Sequence, residues 1–107
     1  MKTKIIFGGR KLYVSSRHLG IDAPEWSKGY PKHHYEIMVS AISRNETSSF
    51  TTDYWSPEER MATQGLRKAL ECLCSEAAQF NEHVANFEKL SIDPSTLGDF
   101  LREKYKI

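Results

Sequence analysis

At 107 residues the chain is the size of one domain, 1–107, and is long enough to bury a single core. Apolar residues at 39%, charged residues at 27% and five Phe, five Tyr and two Trp exclude a disordered chain, and apolar runs of only a few residues exclude a bilayer span. A net charge of +1 excludes imitation of nucleic acid by dense negative charge, yet residues 1–50 carry eight Lys or Arg against four acids and residues 51–107 carry seven against ten. If the halves occupy different faces, the molecule has a dipole that orients it on a charged partner; uneven scatter of solvated side chains is the plainer account.

The start, Met1-Lys2-Thr3-Lys4-Ile5-Ile6-Phe7, is basic and then briefly apolar, and Gly8-Gly9-Arg10-Lys11 interrupts it before a secretory core can form. The expected location is therefore the cytoplasm. Residues 3–7 and 11–15 read as strands of a hairpin, because Gly8-Gly9 supplies the positive φ angles of a tight turn. That pair is not a phosphate loop, having no Lys-Ser/Thr ending and no helix after it. From Ser16 to Lys32, Gly20, Pro24, Gly29 and Pro31 predict an irregular connection, and long connections in small domains often carry function.

Tyr35, Ile37, Val39 and Ala41 alternate with Glu36, Met38, Ser40 and Ile42, which predicts a strand from His34 to Ile42 with the first set facing a core. Ser43 to Glu46 reads as a turn. Phe50, Thr52 and Tyr54 alternate with Thr51, Asp53 and Trp55, predicting a second strand antiparallel to the first. Ser56-Pro57-Glu58-Glu59 then has the form of a helix start, with a capping serine, proline in the first turn and a glutamate reaching back. Gly65 would divide a short first helix from a longer second one, whose stripe is Leu66, Ala69, Leu70, Leu73, Cys74, Ala77 and Phe80. Val84, Phe87 and Leu90 give a weaker helical period. Asp93-Pro94 repeats the cap-then-proline start before Leu97, Phe100, Leu101 and Tyr105. The expected fold is α+β, an N-terminal antiparallel sheet of three to four strands packed against C-terminal helices.

No catalytic or metal-binding constellation emerges, so the expectation is no enzyme, no cofactor and no metal. His33 and His34 are adjacent in a strand and point to opposite faces, and no spacing joins them to His83 or the cysteines as ligands. Cys72 and Cys74, about 200° apart around a helix, are badly aimed for a disulfide and read as reduced thiols. The serines lack a nucleophile elbow, and Glu58 with Glu59 is accounted for by the helix dipole. Two binding surfaces remain. Trp26, Tyr30 and Trp55, with Asp53, are candidate protein contacts, since Trp and Tyr dominate binding hot spots; Trp55 reads equally well as core. Arg10, Lys11, Arg17, Lys28, Lys32 and Arg44, interleaved with Trp26, Tyr30 and His33, could instead line a groove for nucleic acid, although no named module is visible.

The order His34-Tyr35-Glu36-Ile37-Met38-Val39, Phe50-Thr51-Thr52-Asp53-Tyr54-Trp55, Ala69 to Ala77, Phe87-Glu88 and Ile92-Asp93 resembles a recurrent type of small phage-encoded accessory protein. Such proteins often carry "HY-x-V" and "FTTDY" strands, then an "L-x-C-L-x-S-D-A" helix and "F-E-x-F"; here Glu76 replaces the Asp and Leu90 stands where an aromatic is common. Some look like anti-CRISPR proteins, stoichiometric inhibitors of bacterial immune complexes. The resemblance covers roughly residues 33–93 and rests on core patterns, so it implies fold and phage origin more than target. It implies an inhibitor in the bacterial host cytoplasm that binds and sterically blocks a host defence complex, possible targets including a CRISPR effector subunit. The competing class is a small nucleic-acid-binding phage accessory protein using the basic N-terminal half. Monomer and homodimer with mutually sheltering helices both stay open.

Overall fold

The computed structural model describes residues 1–107. Four strands, β1 (Lys2–Phe7), β2 (Arg10–Asp22), β3 (Lys32–Ser43) and β4 (Glu46–Ser56), precede three helices, α1 (Thr63–Glu76), α2 (Asn81–Lys89) and α3 (Pro94–Tyr105). The strands form one antiparallel sheet in chain order, β1-β2-β3-β4, so the molecule has the expected α+β arrangement. Gly8 and Gly9 turn β1 into β2 with φ of 57° and 76°, the left-handed pair that a two-residue hairpin requires. Arg44 and Asn45 do the same between β3 and β4, at φ of 49° and 70°.

The period-two pattern sets the layers. Ile5, Leu12, Val14, Ile37 and Val39 are fully buried on one face, with Tyr35, Ala41 and Phe50 beside them. All three helices cover that face: Leu66, Leu70, Leu73, Phe87, Leu97 and Leu101 join the same core. Phe87 of α2 meets Phe50 of β4 edge-on at 5.5 Å, and Phe100 of α3 lies 5.2 Å from Phe7 of β1. The opposite face, with Lys2, Lys4, Ile6, Lys11 and Met38 exposed, has no helix on it. α3 starts as expected: the Asp93 carboxylate accepts from the Ser95 N–H at 3.1 Å and the Thr96 hydroxyl at 2.8 Å, with Pro94 in the first turn.

Three expectations are corrected. Residues 16–32 are not irregular throughout, because β2 runs to Asp22 and pairs with β3 from Lys32, with a bulge between His18 and Gly20. Burial ends at Val14 in β2 and begins at Tyr35 in β3, so this end of the sheet extends past the core and needs no apolar alternation. The helix does not start at Ser56. That residue ends β4, its hydroxyl accepts from the Glu58 N–H at 3.1 Å, and α1 begins at Thr63, placing Gly65 inside its first turn. The physical reason is Tyr35, whose hydroxyl donates to the Glu59 carbonyl, the acceptor that a continuing helix would give to Thr63. Finally, α1 ends at Glu76, so Phe80 leaves the apolar stripe, precedes α2 and is half exposed.

Candidate functional site

At the extended end of the sheet, strand register brings together residues that are far apart in sequence. Trp55 of β4 lies opposite His34 of β3, and their rings stack at 4.0 Å with an interplanar angle of 4°. Asp53, two residues before Trp55 and so on the same face, takes His34 Nε2 at 2.9 Å. Trp26 meets the Trp55 ring edge-on at 6.1 Å and 86°. A short 3-10 turn, Glu25–Ser27, places it: the Ser27 hydroxyl and N–H both donate to the Pro24 carbonyl, at 2.7 Å and 2.9 Å, and Ser27 is buried. Three of the four expected contact residues thus gather. Tyr30, 72% exposed, makes no aromatic contact with them. Trp55 is neither core nor free, being partly covered by His34 and Trp26.

Beside this cluster, a cleft of about 760 Å³ opens between the edge of β4 and the α1–α2 junction. Trp26, Asp53, Tyr54 and Trp55 form one side, and Glu76, Phe80, Glu82 and His83 line the other. His83 Nε2 lies 3.8 Å from Glu76, and its Nδ1 is buried without a partner. Sequence reading misses His34, Glu76, Phe80, Glu82 and His83 as site residues. His34 pairs with Trp55 only through strand register, and the other four converge only because α1 stops and turns before α2.

The two adjacent histidines do point apart: His33 faces His18, ring nitrogens 3.1 Å apart, on the side away from His34. No three His, Cys, Asp or Glu side chains converge as a group that could hold a metal. Burial, then Glu71, pushes the Cys74 thiol up to about 12, and burial also raises Cys72. Both are protonated at neutral pH and poor nucleophiles. Burial, with Cys72 adding, pushes the Tyr54 phenol up to about 12.

The basic residues do not form one groove. Arg10 donates to the Leu90 and Ser91 carbonyls, tying the β1–β2 turn to the end of α2. Arg17 pairs with Glu36 across the strands at 3.3 Å. Lys32 starts β3 while Arg44 follows its end, roughly 40 Å away at about 3.3 Å per residue. Lys28, with φ of 54°, belongs to the turn after Trp26, and Lys11 lies on the uncovered sheet face with Lys2 and Lys4. No helix is long and apolar enough to cross a membrane. No family model, curated protein or solved structure matches the chain.

Proposed function

We propose that the protein acts by contact and performs no chemistry, docking on a partner protein through the cluster of Trp26, His34, Asp53 and Trp55. The observation that carries this reading is that Trp26 is 61% exposed and yet fixed, against Trp55 and on a turn anchored by Ser27. A large aromatic held in place before binding loses little freedom on association, which is how hot-spot side chains contribute most. The resemblance to phage accessory proteins supports a host defence complex as the partner, blocked by occupation of its surface.

The test is affinity capture of the tagged protein from a bacterial host carrying such a defence, beside a plaque assay with and without the gene. Retained effector subunits and protected phage are expected. Trp26→Ala and Trp55→Ala should each weaken capture by roughly tenfold or more, the effect of losing an interface aromatic. No retained subunit together with no protection overturns the reading.

A second reading draws on the uncovered sheet face, where Lys2, Lys4 and Lys11 surround Tyr13, with Lys2 Nζ 4.7 Å from the ring centroid. Cations with a stackable ring suit single-stranded nucleic acid. Its mark would be retention of an oligonucleotide that falls steeply with added salt, and absence of retention at low salt excludes it.

A further inference from the structure

The cleft beside β4 carries three carboxylates, Asp53, Glu76 and Glu82, and no lysine or arginine lines it. Asp53 is paired only with His34, Glu76 only with His83, and Glu82 has no ionic partner. The surfaces between them are aromatic: Trp26 and Phe80 are 61% and 50% exposed, and Trp55 stands behind Trp26. α2 begins here without a side-chain cap, and its N-terminal dipole offers about half a positive charge. Three formal negative charges outweigh it. The site is therefore rich in acceptors and π-faces and lacks a cation.

We propose that this cleft receives the guanidinium of an arginine side chain presented by the docking partner; the inference rests on the docking reading above and specifies what the partner must carry. Guanidinium has donors only, lies flat on aromatic rings and can engage two carboxylates at once, whereas an ammonium does so as a point charge. The chain makes the same contact internally, where Arg67 lies 4.0 Å from the centre of the Tyr105 ring.

The experiment is an NMR titration of the intact protein, following backbone and indole N–H resonances, with N-acetyl-arginine methylamide and its lysine and citrulline counterparts. Saturable shifts are expected at the Trp26 and Trp55 indoles and at Glu76, Glu82 and His83, strongest for arginine, weaker for lysine and absent for citrulline. Glu76 and Glu82 are exposed, so the Glu76→Gln, Glu82→Gln double variant should fold and bind the arginine probe about tenfold more weakly. Absence of saturation, equal binding of citrulline, tighter binding of lysine, or shifts indifferent to the double variant each overturns the proposal. Arginine binding fails independently of partner capture: capture without probe binding leaves the docking reading standing and removes this one, and probe binding with neither capture nor phage protection leaves a guanidinium site and removes the docking reading.

Discussion

Tyr54 and Cys74 carry protons that the folded state holds more firmly than the unfolded chain. Burial raises Cys74 from 9.0 and Tyr54 from 10.0, each to about 12. Both groups are neutral when protonated, so their stabilisation is fully present below pH 9. As pH rises from there toward 12 the unfolded chain ionises first, and stability falls with pH until the folded groups ionise as well. Denaturant unfolding should therefore give midpoints that decline steadily above pH 9, and Cys74→Ala should flatten part of that decline. In native protein at neutral pH, a thiol reagent should modify Cys74 far more slowly than it does after denaturation.

Between β4 and α1, residues 57–62 are held by Met61 in the core and by the Tyr35 hydroxyl, which donates to the Glu59 carbonyl. Tyr35→Phe keeps the ring and removes the donor, leaving the Glu59 carbonyl without its partner at a cost of about 1–2 kcal/mol. A lowered urea midpoint, with faster amide exchange confined first to the start of α1, is the expected result. The same bond explains why Ser56-Pro57-Glu58-Glu59 misleads: its local signal for a helix is genuine, and a tertiary contact outcompetes it. Asp93-Pro94 does not mislead, because the groups that satisfy its cap lie two and three residues away. β3 and the end of β4 are legible because one face of each meets the core. The far half of β2 has water on both faces, so no periodicity marks it, and its partner strand alone defines it. In the site, Trp26, Asp53 and Trp55 are recoverable from residue type, whereas His34 and the acidic wall depend on register and on where α1 stops.

Helices on one face and water on the other give a body of 44 × 27 × 26 Å with a radius of gyration of 13.7 Å. A compact chain of this length has about 13 Å. The helices turn their apolar stripes inward, and the exposed large apolar side chains are divided among β1, β2, the β2–β3 connection with Trp26 and Tyr30, β3 and the start of α2. With the apolar stripes of all three helices spent on the core, small-angle scattering should report a monomer whose radius does not change with concentration. Mutually sheltered helices would instead raise the apparent mass twofold.

The part of the sheet that runs beyond the core has an evolutionary corollary. Its side chains bear little of the weight of the fold, so replacing them changes what the molecule touches while leaving its melting behaviour nearly constant. Lineages of such a chain can then vary what that one tip meets, generation after generation, without relearning how to fold.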